Sequence, residues 1–271
     1  MLFSKKNGDE AVKRPPKPRC FHADIIELPD DWVEEKPVEK RRWTQSNIAV
    51  RRDNWNDIFS ASLGRVMANQ KACAELVVKG RDWNVDFAKG VISFGQDEYP
   101  VQFIGSESTS SNSWLWGWEN INGFSENLLE VADSMKAAGE GCKLEALTTA
   151  QFGLTDVFNG HTLSIVACSV QEEKYCYYRG PHDGGAVFMA FSGVDETVFA
   201  PIEAQDFINT TLQCIEQFSV NHRVFVECFL YENGTPYEWQ RDSILAHFTQ
   251  DLRIDFKQAG EFWRISKIQS A

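Results

Sequence analysis

Apolar residues recur at every third or fourth position over residues 54–79, and this spacing predicts one long amphipathic helix. Asp53 or Asn54 can cap its start, and Gly80 can end it. Short segments follow in which apolar and polar residues alternate, at 83–87, 91–94, 99–107 and 113–120. Because side chains alternate between the two faces of a strand, these segments predict a four-stranded antiparallel meander after the helix.

The remaining chain shows the same two patterns. Helical spacing predicts helices at 125–139, 145–152 and 203–218. Apolar and alternating runs predict strands at 161–170, 175–179, 186–191, 223–231, 236–241, 252–256 and 262–268. A long helix followed by strands therefore occurs twice. The sequence predicts an α+β fold with long helices packed on antiparallel meander sheets, and two cystatin-like helix-plus-sheet modules are one way to build it.

These patterns divide the chain into three parts: a basic, proline-rich arm at 1–45, a helix with a four-stranded sheet at 46–145, and a second α+β module at 146–271. In the arm, residues 13–19 are all Lys, Arg or Pro, a composition that favours extended conformations. The arm is either a docking peptide, a basic patch for a phosphate-bearing partner, or a solvated and poorly ordered tail. Its composition favours the tail.

The distribution of charge limits the partners of the protein. The net charge is −12; residues 1–52 hold 12 Lys and Arg against 9 Asp and Glu, and the remaining residues hold 15 against 30. A nucleic-acid-binding protein would show a basic surface, so no nucleic-acid partner is expected. An acidic body suits either solubility alone or a protein partner with a basic surface.

The seven cysteines lie at 20, 73, 142, 168, 176, 214 and 228. Their number is odd, they show no paired spacing, and most lie in apolar runs, as is typical of reduced thiols in cytoplasmic proteins. No apolar run approaches the ~20 residues that span a bilayer, and the first residues lead into charged sequence. We therefore expect a soluble cytoplasmic protein without a membrane partner.

The most unusual stretch is 113–120, which holds three tryptophans within five residues. On a strand, Trp114, Trp116 and Trp118 would share one face with Asn120. Two interpretations are open. The indoles are either core residues packed under a helix, or the aromatic wall of a ligand pocket that ends at Asn120. The core interpretation is favoured because aromatic stripes usually serve packing.

A second candidate site lies in the turn between two predicted strands, at Tyr178, Arg179, His182 and Asp183. Arg179 could hold a carboxylate or phosphate, and His182 could titrate near neutral pH. The alternative is a hairpin turn with incidental polar residues, and the Gly, Pro and Asp of this segment favour it.

Motifs of known chemistry are missing from the sequence. It holds no phosphate-binding glycine loop, no dinucleotide fingerprint and no metalloprotease or hydrolase motif. The five histidines are scattered, and none has a second ligand type at helical spacing. The sequence therefore predicts no metal site and no cofactor, and it identifies no catalytic residue.

Several motifs carry a family resemblance. They are Trp-x-Val-Asp-Phe-x-x-Gly-x-Ile-x-Phe at 83–94, Val-Gln-x-Ile-Gly-Ser at 101–106, Trp-Leu-Trp-Gly-Trp-x-Asn at 114–120, His-Thr-Leu at 161–163 and Tyr-Tyr-Arg-Gly-Pro at 177–181. Together they resemble an uncharacterised bacterial family, one of the domains of unknown function. The resemblance covers residues 55–268. It implies a bacterial cytoplasmic protein and carries over no catalytic residue.

Two functions fit these observations. The first is a non-enzymatic binding or interaction module whose acidic body recognises a basic protein, as an inhibitor or immunity protein would. The second is an enzyme or small-molecule-binding protein with an aromatic-lined pocket near Trp116, Asn120, Arg179 and His182. The lack of catalytic motifs favours the first.

Overall fold

The computed structural model describes residues 50–260 and 262–271, so the predicted arm at 1–45 lies outside the described residues. The α-helices are α1 (Trp55–Cys73), α2 (Glu130–Cys142), α3 (Glu145–Thr148), α4 (Gly160–Ser169), α5 (Ala204–Gln217) and α6 (His222–Glu232). The strands are β1 (Trp83–Asp86), β2 (Val91–Phe94), β3 (Asp97–Ser108), β4 (Ser113–Trp116), β5 (Gln151–Gly153), β6 (Cys176–His182), β7 (Gly185–Phe191), β8 (Tyr237–Gln240), β9 (Ser243–Ala246), β10 (Leu252–Ala259) and β11 (Phe262–Ser270). The predicted α+β class is confirmed.

The first helix follows the sequence prediction closely. Asn54 caps α1 by accepting a hydrogen bond from the backbone N–H of Asp57 at 3.1 Å. A π-helical turn, Ala74–Val78, extends the helix, and Lys79 then adopts a left-handed conformation that ends it. The predicted helix at 54–79 is therefore confirmed as one continuous helical segment.

Within the described residues, the larger sheet has seven strands, and all of its pairings are antiparallel. β1, β2, β3 and β4 follow one another across it, which confirms the predicted four-stranded meander, and β5 pairs with β4 as a further strand. β3 is shared, because its later residues also pair with β7, and β7 pairs with β6. Strands from both sides of the predicted module boundary at 145/146 thus join one sheet.

In the described part of the chain, the smaller sheet is a four-stranded antiparallel meander in the order β8, β9, β10 and β11. The strands predicted at 236–241, 252–256 and 262–268 are confirmed in it. β9 was not predicted, because Ser243–Ala246 is only four residues long and follows β8 after a two-residue turn.

Two predicted strands are wrong. Residues 161–170 form most of α4, and residues 223–231 form most of α6. Both segments are buried on nearly every side, so neither shows the polar face that identifies an amphipathic helix. A short continuous apolar run is compatible with either a buried strand or a buried helix, and tertiary packing decides between them.

Three smaller boundaries also differ from prediction. The helix expected at 125–139 begins with a 3₁₀ turn at Glu126–Leu128 and continues as α2 to Cys142. The helix expected at 145–152 is α3 followed by the short strand β5. β4 ends at Trp116, and Gly117–Glu119 is a 3₁₀ turn.

The main hydrophobic core joins both halves of the chain. It contains residues of α1, α4 and α6 together with residues of both sheets. The face of α1 that meets α6 requires a glycine, because a Cβ at Gly64 would lie 2.5 Å from the ring of Phe229. Helix α1 therefore packs directly on α6 and organises both sheets around one core.

Candidate functional site

The tryptophan stretch is mostly core. Trp114 and Trp116 on β4 are 0% and 1% exposed and meet edge to face at 5.3 Å between ring centroids. The Nε1 of Trp116 donates a hydrogen bond to the carbonyl oxygen of Ala146 at 2.8 Å. Trp118 lies in the 3₁₀ turn beyond the strand, where the Nζ of Lys136 is 4.3 Å from its ring centroid. The predicted ladder of three indoles on one strand is therefore wrong; two indoles form it.

Asn120 does not continue the strand either. It adopts a left-handed conformation with φ of 48° at the end of the 3₁₀ turn. Its side-chain amide accepts from the backbone N–H of Phe124 at 2.7 Å and donates to the carbonyl oxygen of Phe124 at 2.9 Å. The polar atoms of Asn120 thus close its own loop.

The residues predicted in the β6–β7 hairpin separate into different environments. Tyr178 packs against Trp83 and Phe94 in the second hydrophobic cluster, on the face of β6 opposite to Arg179. His182 accepts a hydrogen bond from the backbone N–H of Gly184 at 3.1 Å, and Asp183 is exposed beside it. These two residues form a hairpin turn, as the simpler interpretation of the sequence expected.

The structure does not bring the two predicted sets of site residues together. Trp116, Gly105, Phe188 and Arg179 occupy one row across β4, β3, β7 and β6. Three strand spacings separate Trp116 from Arg179, which is about 14 Å. Arg179 is instead close to a cleft that the sequence did not reveal.

This cleft, which we call the histidine cleft, has a volume of about 430 Å³ and lies beside the start of α4. Residues of α1, β3, α4 and β6 line it together with residues from the end of α5. The lining residues are Met67, Glu107, Asn159, His161, Ile165, Tyr177, Gln217 and Phe218. His161 is exposed to solvent, so the cleft is open.

The start of α4 is fixed by a capping box. The side chain of Asn159 accepts from the backbone N–H groups of His161 and Thr162, each at 3.1 Å. The hydroxyl of Thr162 accepts in return from the backbone N–H of Asn159. This arrangement places His161 in the first turn of the helix, facing β6.

Glu107 holds the same helix start from the sheet. Its Oε1 accepts a hydrogen bond from the backbone N–H of Gly160 at 2.7 Å. A carboxylate is favourable at this position because the first N–H groups of a helix carry partial positive charge. Gly160 allows the start of α4 to lie close to β7, since a Cβ there would lie 2.2 Å from the ring of Phe188.

Hydrogen bonds from α1 fix the backbone of Tyr177 on the edge strand β6. The side-chain amide of Gln70 on α1 accepts from the backbone N–H of Tyr177 at 2.9 Å and donates to its carbonyl oxygen at 2.8 Å. The Tyr177 hydroxyl then lies 3.2 Å from Nδ1 of His161. The His161 ring also meets the ring of Phe188 edge to face at 5.3 Å.

The charges around His161 oppose each other. Partial desolvation lowers the pKa of His161, the negative charge of Glu107 raises it, and the positive charge of Arg179 lowers it, with a net decrease. Desolvation is also the largest cause of the raised pKa of Tyr177. The histidine and the tyrosine are therefore both neutral at pH 7, and the hydrogen bond between them joins two neutral groups.

A second cleft of about 330 Å³ lies on another side of the protein. Glu130, Glu172, Glu173 and Tyr175 line it, with Val131 and Gln171. The Tyr175 hydroxyl donates to Glu173 at 2.7 Å. We call this the acidic cleft.

The described residues contain neither a helix that could cross a membrane nor a cluster that could hold a metal ion. No helix within residues 50–260 and 262–271 combines the length and apolar character that crossing a membrane requires. In the same ranges, no group of three or more His, Cys, Asp or Glu side chains is placed to hold a metal ion.

Sequence reasoning missed Glu107, His161 and Tyr177 as a group. In the sequence, Glu107 marks only the end of a predicted strand, and the pattern predicts a strand where His161 lies in helix α4. One local signal was present: Asn159 precedes Gly160 and His161, and Thr162 stands three positions after the asparagine. That spacing matches a helix start with an asparagine cap.

The fold and the cleft define an α+β protein with an open site of mixed polar and apolar lining at a helix start. The chain belongs to a family of unknown function, DUF6882, whose model matches residues 56–194. The match is shorter than the resemblance expected over 55–268, and it ends just after β7. No curated protein and no solved structure matches the chain.

Proposed function

We propose that this protein is a non-enzymatic binding protein that holds a small polar molecule in the histidine cleft. The observation that carries the proposal is the convergence of Glu107, His161 and Tyr177 from β3, α4 and β6 on one open cleft. Ligand sites typically combine an apolar lining with a few well-placed polar groups. The bacterial origin and cytoplasmic location expected from the sequence remain part of this proposal.

The cleft offers polar groups of different kinds. Glu107 accepts hydrogen bonds, Gln217 both donates and accepts, and the neutral pair of His161 and Tyr177 can exchange donor and acceptor roles. Met67, Ile165 and Phe218 supply apolar contact. This combination suits a compound with a polar head and an apolar body.

The family match supports this choice of site. Six of the eight lining residues lie within the matched residues 56–194, and Gln217 and Phe218 follow them. Glu107, His161 and Tyr177 thus lie within the segment that matches the family, and the end of α5 adds one wall of the cleft. We expect this wall to tune which ligand fits.

Native mass spectrometry of the protein purified from its own cells tests the proposal. We expect a retained small molecule that is released under denaturing conditions. Gln217→Trp fills the mouth of the cleft and should abolish retention. Gln205→Trp is the matched control, because Gln205 is also exposed on α5 but lies about 18 Å along the helix axis from Gln217.

The proposal predicts loss of the ligand in Gln217→Trp and its retention in Gln205→Trp. A ligand retained equally by both variants lies elsewhere and contradicts the proposal. A bare wild-type chain that also binds nothing from a small-molecule extract of the same cells contradicts it as well.

A second candidate function is recognition of a basic protein, as an inhibitor or immunity protein would do. The observations that favour it are the excess of acidic residues after residue 52 and the three glutamates of the acidic cleft. Binding of this kind weakens as salt rises, because exposed charges are screened. A captured partner whose affinity does not change between low and high salt would exclude this candidate.

A further inference from the structure

We infer that the ligand of the histidine cleft is a small zwitterion, an α-amino acid with an apolar side chain. The inference rests on the proposed function and names its ligand class. Three features carry it: the carboxylate of Glu107 and an apolar lining in the cleft, and the guanidinium of Arg179, which lies outside the lining but two residues after Tyr177 on β6.

The negative side is Glu107, which is half-buried. Its Oε1 is occupied by the backbone N–H of Gly160. Within the described part of the chain, no hydrogen bond reaches its second oxygen, Oε2. A carboxylate held from one oxygen and open at the other is suited to an ammonium group, which brings three donors and a positive charge.

The positive side is Arg179. It lies two residues after Tyr177 on β6, so both side chains leave the same face of the strand about 7 Å apart. Arg179 stands directly opposite Phe188, whose ring touches that of His161. Its guanidinium is exposed, and no carboxylate of the described residues lies within ion-pair distance of it. Such a group can take a ligand carboxylate with two parallel hydrogen bonds.

The apolar wall selects the rest of the molecule. Met67 of α1, Ile165 of α4 and Phe218, which follows the end of α5, line the same cleft. A volume of about 430 Å³ lies near the lower end of the ~300–1,000 Å³ common for ligand pockets, so a compact ligand fits best. An amino acid with an apolar side chain can pair with both charged groups and pack against the apolar residues at the same time.

Isothermal titration calorimetry with matched probes tests the inference on the full-length protein. The zwitterions are L-leucine, L-methionine and L-phenylalanine. 4-Methylpentanoate has the leucine skeleton without the ammonium group, and 3-methylbutylamine has it without the carboxylate. We expect at least one zwitterion to bind ten-fold or more tightly than either single-charge probe.

Two variants assign the charges. Glu107→Gln keeps an acceptor for the backbone N–H of Gly160. It should lower the affinity for the preferred amino acid to about that of 4-methylpentanoate, and the affinity for 4-methylpentanoate itself should not change. Arg179→Gln should lower the affinity for the amino acid to about that of 3-methylbutylamine. Glu98→Gln is the control on the same strand, since Glu98 is exposed and outside the cleft, and it should leave all affinities unchanged.

The outcomes separate the two proposals. Equal affinity for zwitterions and single-charge probes, or no binding of any of them, overturns the zwitterion inference. If a retained compound without one of the two charges is then lost in Gln217→Trp, the proposed function survives that failure. If no compound is retained or bound, both fail.

Discussion

Helices α4 and α6 begin in nearly the same way and end in different roles. Each is capped by an asparagine, Asn159 or Asn221, and each carries a histidine in its first turn. Each was predicted as a strand. His161 of α4 is exposed in an open cleft, whereas His222 of α6 is 7% exposed.

The partners of the two rings explain the difference. Nδ1 of His222 accepts a hydrogen bond from the backbone N–H of Ile265 at 3.1 Å, so the ring supports the edge strand β11. Desolvation, with a smaller contribution from Arg264, lowers the pKa of His222 to about 4. His161 instead meets the hydroxyl of Tyr177 and lies near charges of both signs. One histidine is a structural acceptor, and the other faces solvent among groups that can bind.

The comparison shows that an asparagine cap determines where a helix starts but not the role of the histidine in its first turn. The asparagine cap satisfies backbone N–H groups in both helices. What packs above the histidine then decides its role: β11 at His222, and an open cleft at His161.

The strongest test of this comparison is to truncate each ring. His222→Ala leaves the N–H of Ile265 without its acceptor and opens a void, which should lower the free energy of unfolding by about 2–4 kcal/mol. His161→Ala removes an exposed ring and should cost about 1 kcal/mol or less. Urea denaturation of both variants measures the difference, and equal losses would contradict the assigned roles.

The next effect is on the pH dependence of stability. The pKa of His222 is about 4 in the folded protein and near 6.5 when unfolded, so the unfolded chain binds the proton more readily between these values. The stabilisation from a neutral His222 is present above pH 6.5 and is lost as pH falls toward 4, by up to about 3 kcal/mol.

Denaturation curves from pH 7 to pH 4.5 measure this loss. His222→Gln cannot take up the proton and should lose less stability than the wild type over that range. The carboxylates are common to both proteins and cancel in the comparison. Identical pH profiles would show that His222 is not a buried neutral group.

A smaller effect is expected at the contact that positions the cleft. Gly160→Ala places a methyl group against the ring of Phe188, so the ring and the start of α4 have to move apart, which should cost about 1–3 kcal/mol. This movement takes the start of α4 away from Glu107, so ligand retention should also fall. Gly141→Ala is the control, because no atom of the described residues lies within 4 Å of a Cβ there. If Gly160→Ala retained the ligand as the wild type does, ligand binding would not depend on the position of the start of α4.

The smallest stability effect should come from Glu107→Gln. The amide keeps an acceptor for the N–H of Gly160, and only the charge at the helix start is lost, which is about 0.3–1 kcal/mol. Binding, by contrast, should drop strongly. A thermal shift assay with and without ligand resolves the two effects, and a variant that binds normally would remove Glu107 from the site.

The sequence predicts the regular parts of this fold well. Apolar residues recur at helical spacing over 54–79 and at strand spacing over 83–107, and these periods identify α1 and the first three strands. The sequence predicts strands instead of α4 and α6, because these helices are buried on most sides and show no polar face. Pairing of β7 with β3 could not be read locally, since 77 residues or more separate the paired positions.

The candidate site was harder to predict for the same reason. Glu107, His161 and Tyr177 lie in three elements, and only the sheet order and the placement of α4 bring them together. The tryptophans at 114, 116 and 118 are the most unusual feature of the sequence, yet Trp114 and Trp116 are core residues. Arg179, one of the predicted site residues, lies close enough to the cleft for its charge to lower the pKa of His161.

Histidine ring NMR compares the two helix starts most directly. The labelled protein is titrated at constant pH with the small-molecule fraction of an extract from its own cells. The account predicts that the ring signals of His161 shift and saturate while those of His222 stay in place. Unchanged signals of His161, or equal shifts at both histidines, would contradict the claim that the cleft at the start of α4 is a binding site.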